Sequence, residues 1–319
     1  MTALTRAQHA ARVEAAIVSG HAAKSALVAS WRRSSRLHQL DPSLPRSPLR
    51  LTDAELARVR ERVGPLMHAA QPALNHLHQA VGAIGCCVLL TDRDGIPVDR
   101  RGAAGDDATF EAWGLWTGCS WSEEHEGTNG IGTCLIEKRP LTIDRAQHFL
   151  SRNIAMSCTA TPIHDHDATL VGALDVSSCR TDRADAFAGL IALAVAESAR
   201  AIEAELFRAV FPKARILLTT SPERGASGLI AIDSADLVVG ATRSARLALG
   251  LPASGALRPA PAADLLGGPN AGREELGDLE RGALQRALLR SHGNVSAAAE
   301  ALGISRATLH RRLKRCELR

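Results

Sequence analysis

The run GNVSAAAEALGISRATLHRRLKR, residues 293–315, constrains the fold of this chain more than any other stretch. Asn294 can accept a backbone N–H and so begin a helix, and Gly303 tolerates the positive φ that ends one. Ser305 can cap a second helix, on which two leucines four residues apart share one face. Two short helices joined by a tight turn that contains Gly form a helix-turn-helix. The run therefore predicts a small all-α module.

Positive charge is concentrated on the same module. Residues 280–319 contain nine Lys or Arg and three Glu, a net charge of +6, whereas the whole chain carries +4. Charge gathered on one small helical module is the electrostatic footprint of phosphate binding. The alternative, a solvated basic face on an ordinary amphipathic helix, explains this asymmetry less well. We therefore predict that the module binds double-stranded DNA.

Residues 279–314 resemble the Fis-type helix-turn-helix of bacterial enhancer-binding activators, through Leu284, Gly293-Asn294, Ala298-Ala299 and LGISRATL. The resemblance implies that the second helix enters the major groove with its N-terminal residues at the base edges. It implies that Arg306 reads a base, because Arg pairs bidentately with guanine. The other implied DNA contacts, mostly to phosphates, are Asn294, Ser305, Thr308, His310, Arg311, Arg312 and Lys314.

Length and composition limit what the rest of the chain can form. A chain of 319 residues that is 45% hydrophobic can bury two or three cores, and with no Tyr and only 3% aromatic residues those cores must be aliphatic. Seven cysteines without a Cys-x-x-Cys pair indicate a reducing compartment. No apolar run approaches the roughly 20 residues of a membrane span, and no secretion signal is present. These features predict a cytoplasmic protein that does not enter the membrane.

The chain divides into blocks by local pattern. Residues 2–39 and 52–80 are rich in helix-forming Ala, Arg, Leu and Glu, and the three prolines of DPSLPRSP separate them. From residue 83 the pattern is typical of strands, and residues 183–211 return to helical spacing. The strand-like runs are CCVLLTD, IPVDRRG, GTCLIEK, PLTID, SCTATPI and TLVGALDVS, then LIAID and LVVGAT before a Pro/Gly/Ala-rich linker.

Residues 114–178 resemble the GAF sensor domain of the acetoin-catabolism regulator group, through WSEE, GTNGIGT, Arg139-Pro140, His148-Phe149 and Pro162-Ile163. The similarity reaches upstream to SWR and LDP in residues 30–42. It implies a curved antiparallel sheet with a small-molecule cavity under loops. An alternative stays open, in which the tryptophans fill a core and GTNG caps a helix. The implied ligand contacts are Trp113, Trp116, Trp121, Glu123, Glu124, Thr128, Asn129, Thr133, His148 and Cys158.

The chain departs from the activator pattern at one point. Activators of this group carry a central ATPase, but no G-x-x-x-x-G-K-[ST] run occurs in the sequence. The run LIAIDSADLVVGAT instead resembles the start of a PAS-like segment. We expect no ATP hydrolysis, no catalytic residues, no cofactor and no metal. His164-Asp165-His166-Asp167 is expected to form an exposed hairpin loop, and Cys134 with Cys158 to be buried thiols rather than a redox pair.

These observations predict an α+β multidomain regulator. Its expected domains are a helical leader (1–72), a GAF domain (73–211), a PAS-like remnant with linker (212–276) and a Fis-type helix-turn-helix (277–319). The predicted function is sequence-specific transcriptional regulation by a homodimer that senses a small metabolite and acts with RNA polymerase or a partner regulator. The alternatives are a constitutive architectural DNA-binding protein with a vestigial sensor, an activator ATPase, and a metal- or cysteine-dependent enzyme on a GAF fold.

Overall fold

A computed structural model describes residues 5–19, 25–44, 47–178, 181–221, 226–266 and 276–316. The chain forms two compact units, Met1–Pro259 and Ala260–Arg319, called here the first unit and the second unit. The helices of the first unit are α1 (Arg6–Val18), α2 (Ala26–Arg36), α3 (Asp53–Arg62), α4 (Gly64–Val81), α5 (Asp107–Ala112), α6 (Glu123–Glu126), α7 (Gly130–Glu137), α8 (Thr181–Val210) and α9 (Arg243–Leu249).

An antiparallel sheet in the order β2-β1-β5-β4-β3 forms the centre of the first unit. The strand β1, which lies between β2 and β5, is buried along its whole length, because helices cover both faces of the sheet. Leu90 of β1 lies opposite Leu174 of β5, which in turn lies opposite Thr161 of β4. The strands are β1 (Cys86–Asp92), β2 (Pro97–Arg101), β3 (Leu141–Asp144), β4 (Ser157–His164) and β5 (Leu170–Ser178).

Two apolar cores lie on opposite faces of this sheet. On one face, α4 and α8 pack against side chains such as Val88, Leu90 and Val176. The buried residues of α8 recur every three or four positions, as expected for one face of a helix. Those in this core are Ile191, Val195, Ala199, Ile202 and Leu206, and the adjacent Phe207 is also buried. On the other face, Cys87, Leu89 and Ala173 pack beneath α5 and α7.

The leader helices, α1 and α2, pack on the same unit as the sheet. Val13, Val28 and Trp31 are buried against Phe149 and Leu150. The predicted boundary between residues 72 and 73 falls inside α4, whose Ala70, Leu74 and Leu77 are buried against the sheet. The leader and the sheet therefore share cores within one unit.

The run GTCLIEK, expected to be a strand, is the helix α7. The side chain of Asn129 accepts the backbone N–H of Gly132 at 2.8 Å and caps this helix. A Cβ at position 132 would lie 2.5 Å from the backbone nitrogen of Glu123. The apolar run was mistaken for a strand because buried helices and strands have similar composition over short stretches. Gly132 allows the helix to approach the preceding loop closely.

Three further strands follow α8 in the first unit. They are β6 (Arg215–Ser221), β7 (Ala226–Ile232) and β8 (Leu237–Ala241), and they pair antiparallel in that order. The strands β7 and β8 cover all but the last residue of the predicted runs LIAID and LVVGAT, whereas β6 was not predicted. The assignment of this segment to a PAS-like remnant stays a prediction.

The second unit is mainly helical. It contains β9 (Ala260–Pro261), α10 (Ala262–Leu266), α11 (Leu276–Arg290), α12 (Val295–Ala301) and α13 (Arg306–Arg315). Its core joins Leu284 of α11 to Ala298 and Ala299 of α12 and to Leu309 and Leu313 of α13. The small alanines of α12 permit a close approach of the neighbouring helices, so α12 and α13 form the predicted helix-turn-helix.

Candidate functional site

Side-chain caps set the geometry of the helix-turn-helix. The carbonyl oxygen of the Asn294 side chain accepts the backbone N–H groups of Ser296 and Ala297, at 3.0 and 3.2 Å. Ser305 Oγ accepts the backbone N–H of Thr308 at 3.1 Å. Each cap satisfies donors that a helix N-terminus would otherwise leave unpaired. Asn294 is therefore occupied as a cap, and Ser305 and Thr308 lie in the first turn of α13.

The helix α13 exposes a basic surface. Leu309 and Leu313 are buried, so the side of α13 away from them faces solvent. Arg306 lies in the first turn, where a recognition helix contacts base edges. The predicted contacts that are exposed along α13 are Arg306, His310, Arg311, Arg312 and Lys314.

Glu280 of α11 holds two arginines of α13. Arg312 Nε lies 3.4 Å from Glu280 Oε1, and Arg315 forms an ion pair with the same carboxylate. Arg312 therefore lies on the side of α13 nearest α11, beside the core. In this position it differs from Arg311. Arg315 is not among the predicted DNA contacts, and its ion pair joins residues that are 35 positions apart in the sequence.

A buried ion pair joins the leader to the sheet domain. The Glu123 side chain is fully buried and accepts hydrogen bonds from Arg33 Nε at 2.7 Å and Arg33 Nη2 at 2.9 Å. Ser30 Oγ also donates to Glu123 and lies 2.7 Å from Thr128 Oγ1. Burial lowers the pKa of Arg33, but the hydrogen bonds and charge of Glu123 outweigh it and raise that pKa. The charge of the buried Glu123 carboxylate is therefore paired, and its oxygens accept hydrogen bonds, within the chain itself.

A pocket of about 230 Å³ lies between α2 and the β3 edge of the sheet. We call it the seam pocket. Hydroxyl groups, one amide and aliphatic walls line it, with one acidic and one basic side chain. Its lining residues are Ala26, Leu27, Ser30, Thr128, Thr133, Glu137, Arg139, Leu141, Thr142, Ile143 and Gln147. The pocket brings together two of the predicted ligand contacts, Thr128 and Thr133, and Glu123 bonds to Ser30 in its wall.

Trp121 and Asn129 have structural partners. Trp121 is buried, and its indole N–H donates to the carbonyl oxygen of Gly114 at 2.7 Å. The Asn129 amide donates to the carbonyl oxygens of Trp121 and Gly127, at 3.1 and 2.8 Å, while its oxygen caps α7. These contacts match the alternative stated above, in which the tryptophan fills a core and GTNG caps a helix.

The other predicted ligand contacts lie apart from the seam pocket. Trp113 is half-buried against the core beneath α5 and α7. The guanidinium carbon of Arg100 lies over the Trp116 ring, 4.3 Å from the ring centroid. Glu124 is exposed, whereas His148 and Cys158 are buried. The structure does not bring these five side chains to one cavity wall.

Asp175 is a buried titratable residue that the sequence did not single out. Burial raises its pKa to about 7, and the Ser177 hydroxyl, which donates to Oδ2 at 2.7 Å, acts in the opposite direction. Burial also raises the pKa of the thiols of Cys87, Cys134 and Cys158. Thiols react as thiolates, so these three cysteines are poor nucleophiles.

Two buried histidines lie where α1 meets the loop after β3. His148 Nδ1 lies 3.0 Å from the carbonyl oxygen of Arg145, and His9 Nδ1 lies 3.1 Å from Ser151 Oγ. Burial lowers the pKa of His148 to about 4, and it also lowers the pKa of His9. Both rings are therefore neutral near neutral pH.

A larger open cleft of about 820 Å³ lies between α4 and α8. Its walls are mostly apolar and include Val63, Leu66, Val171, Leu206 and Val210. None of the predicted ligand contacts lines this cleft.

The HDHD run differs in part from the expected exposed loop. His164 ends β4, is buried, and its Nδ1 lies 2.9 Å from Glu203 Oε1. Asp165 makes the turn, because its carboxylate accepts the N–H groups of Asp167 and Thr169 at 2.9 Å. Within the described ranges, no three His, Cys, Asp or Glu side chains come together as ligands for a metal ion. Among the helices that the structure describes, none combines the length and apolar character that a bilayer crossing needs.

An antiparallel sensor-type sheet with packed leader helices, together with a helix-turn-helix, defines a DNA-binding transcriptional regulator. Residues 2–203 match the family model described as MimR, N-terminal domain, and residues 275–315 match that of the Fis family of bacterial regulatory proteins. The chain therefore belongs to the family of regulators that carry the MimR N-terminal domain.

Curated relatives are also regulators. The acetoin catabolism regulatory protein of Cupriavidus necator is 34% identical over 257 residues, which cover 79% of this chain and 38% of the relative. The MimR activator of the propane 2-monooxygenase operon of Mycolicibacterium smegmatis is 32% identical over 51% of this chain and 27% of its own length. The chain thus spans well under half the length of these relatives.

A solved structure supports the fold. The DhaR(N)–DhaL complex of E. coli contains a chain that superposes with a TM-score of 0.51 over 72% of this chain and 78% of that chain. The sequence identity is 18%, so the likeness concerns the fold alone.

Proposed function

We propose that the chain is a sequence-specific transcriptional regulator whose first unit senses a small metabolite and whose second unit binds the target DNA. The observation that carries the proposal is α13, a capped recognition-type helix with buried leucines on one face and exposed Arg306, Arg311 and Lys314 elsewhere. The chain does not itself hydrolyse ATP, since it has no phosphate-loop run. It acts in the cytoplasm with RNA polymerase or with a partner regulator.

Arg306 and Lys314 are expected to contribute differently to DNA binding. Arg306→Ala should cost about 1–3 kcal/mol on the specific site and relax the sequence preference, because a base contact is lost. Lys314→Ala should weaken specific and random DNA alike and lower the salt dependence. Fluorescence anisotropy on both DNAs across a salt series measures these effects. Equal losses for the two variants on both DNAs would show that Arg306 does not read a base.

The seam pocket is the effector site that the geometry supports best. Thr128 and Thr133 line it, and Ser30 in its wall donates a hydrogen bond to Glu123 of α6, the ion-pair partner of Arg33 in α2. A molecule bound there touches both the leader and the sheet, so it can shift the balance between two states of the protein. None of the residues that line the larger apolar cleft belongs to the leader helices α1 and α2. Hydroxyl and amide groups between aliphatic walls suit a small oxygenated metabolite.

Filling the seam pocket should abolish the response to the effector. Acetoin, which appears in the name of the Cupriavidus necator relative, is the first probe. Its binding should raise the melting temperature of the wild type by mass action. Thr142→Trp places an indole in the pocket and should remove that rise. Thr169→Trp, the same change at an exposed position of the β4–β5 hairpin, is the matched control. If Thr142→Trp retains the full rise seen for the wild type, the effector binds elsewhere.

The regulator is proposed to act as a homodimer, because one helix-turn-helix reads a half-site and paired readers bind half-sites about 34 Å apart. A second candidate function is a constitutive architectural DNA-binding protein. The filled core around Trp121 favours it, because that core leaves the tryptophan with a structural role. DNA affinity measured with and without extracts of small metabolites separates the two functions, since only the sensor responds.

A further inference from the structure

The outward face of α8 carries a pattern that a second copy of the chain can cover. The helix is 30 residues long, which is about 45 Å at 1.5 Å per residue. Opposite its buried face, residues recur at alternating spacings of three and four, the spacing of a coiled-coil seam. They are Leu190, Leu193, Glu197, Arg200 and Ala204.

The two halves of this face differ in character. Leu190 and Leu193 are 64% and 57% exposed, so the N-terminal half presents large apolar side chains to solvent. The C-terminal half presents the small, half-buried side chain of Ala204, and the centre carries the exposed ion pair of Glu197 with Arg200. We call these five residues the α8 stripe. Its large and small halves are complementary to each other.

We propose that two copies of the chain associate through the α8 stripe with their α8 helices antiparallel. This inference rests on the proposed function, because it supplies the surface for the proposed homodimer. With the two-fold axis between positions 198 and 199, Leu193 packs on Ala204 of the partner subunit. Glu197 then faces Arg200 of the partner subunit, and symmetry repeats both contacts.

Charge decides the direction of the helices. A parallel pair would set each Glu197 against its own copy and each Arg200 against its own copy, so two layers would carry like charges. Like charges that face one another directly are destabilising, whereas the antiparallel pair sets Glu197 against Arg200 at both positions. In the antiparallel pair, the large side chain of Leu193 is covered by the small side chain of Ala204 of the partner subunit.

The neighbouring surface is shaped to receive the leucines. A cleft of about 270 Å³ borders the C-terminal half of the stripe and includes Ala201, Ala204, Leu218 and Leu229 in its lining. Leu218 of β6 is 64% exposed, so it adds apolar area beside the helix. Leu190 of the partner subunit would reach this side of α8 in the antiparallel arrangement.

Charge reversal tests both the surface and its direction. Glu197→Arg and Arg200→Glu should each raise the dimer dissociation constant by about tenfold, because each places two like-charge contacts in the interface. The double variant should restore the wild-type dissociation constant to within about threefold, since opposite charges face one another again. Sedimentation equilibrium of the full chain without DNA measures all of these values.

The matched control is Glu205→Arg, which breaks an equivalent exposed pair with Arg208 on the same helix but lies outside the α8 stripe. It should leave the dissociation constant unchanged. Equal effects of Glu197→Arg and Glu205→Arg, failure of the double variant to restore association, or a monomeric wild type at tens of micromolar would each overturn the antiparallel pairing. A wild type that dimerises and binds DNA while the reversals have no effect overturns this surface only. A wild type that binds no DNA refutes the proposed function, while the sedimentation results still decide the pairing.

Discussion

Arg33→Leu is expected to lower the free energy of unfolding of the first unit by about 3 kcal/mol, because it leaves the Glu123 carboxylate buried without a cation. The Glu123 side chain is fully buried, and Arg33 supplies two of its hydrogen bonds. The hydroxyls of Ser30 and Thr133 lie beside the same carboxylate but carry no charge. Urea denaturation followed by tryptophan fluorescence measures the change.

The control for this prediction is Arg32→Leu, an equal change of charge at an exposed neighbour on α2. It should change the free energy of unfolding by less than about 0.5 kcal/mol. The double variant Arg33→Leu/Glu123→Leu should recover most of the loss, because a buried ion pair replaced by apolar side chains leaves no charge unpaired. Equal losses in Arg32→Leu and Arg33→Leu would show that the ion pair does not hold the leader.

The ion pair also bears on how an effector would act. Ser30 lies in the wall of the seam pocket and donates to Glu123, while Arg33 occupies the next turn of the same helix. A molecule that displaces Ser30 would therefore disturb the hydrogen bonds of Glu123. For the proposed effector, the Glu123 carboxylate is a contact shared by the pocket wall and Arg33, which would give the effector a route to change how firmly α2 is held.

Local signals made the helix-turn-helix predictable. Asn294, Ser305 and the leucines of α13 act within a few residues of their partners, so their spacing in the sequence carries the structure. The strand pairs of the sheet were also predictable, because alternation and turns are local features of a sequence. The helix α7 was predicted as a strand, because its short apolar run has the composition of a buried strand, although the alternative in which GTNG caps a helix did include the local cap of Asn129.

Contacts between distant positions could not be predicted. Arg33 and Glu123 are 90 positions apart, and neither lies in a run that predicts a buried ion pair. The seam pocket combines residues of α2 with residues of β3 and α7, so no single motif contains it. The resemblance drew attention to Trp121 and Asn129, but a sequence pattern does not distinguish a residue that holds a loop in place from one that contacts a ligand.

Acidification is expected to destabilise the first unit through His148. The pKa of the folded-state imidazole is about 4, below its ordinary value of 6.5, mainly because the ring is buried; the hydrogen bond with the carbonyl oxygen of Arg145 opposes this shift, and the nearby His9 contributes to it. The His148 imidazole is thus protonated in the unfolded chain at pH values at which it stays neutral in the folded chain. The stability from this group is fully present above about pH 6.5 and is lost as the pH falls through that value towards about 4.

The size of this effect follows from the two pKa values. The part of the stability change that His148 carries, when the pH is lowered from about 7 to about 5, should be a loss of about 2 kcal/mol, because His148 is protonated only in the unfolded chain over that range. The buried carboxyl of Asp175, whose pKa is raised, acts in the opposite direction and does so equally in every variant compared. His148→Gln removes the titration and should reduce the loss by that amount, whereas His76→Gln, at an exposed position of α4, should leave it unchanged. Urea titrations at both pH values for the three proteins give the comparison. If His148→Gln loses as much stability on acidification as the wild type, the ring is not held neutral by burial, and another group between α1 and the sheet carries the pH dependence.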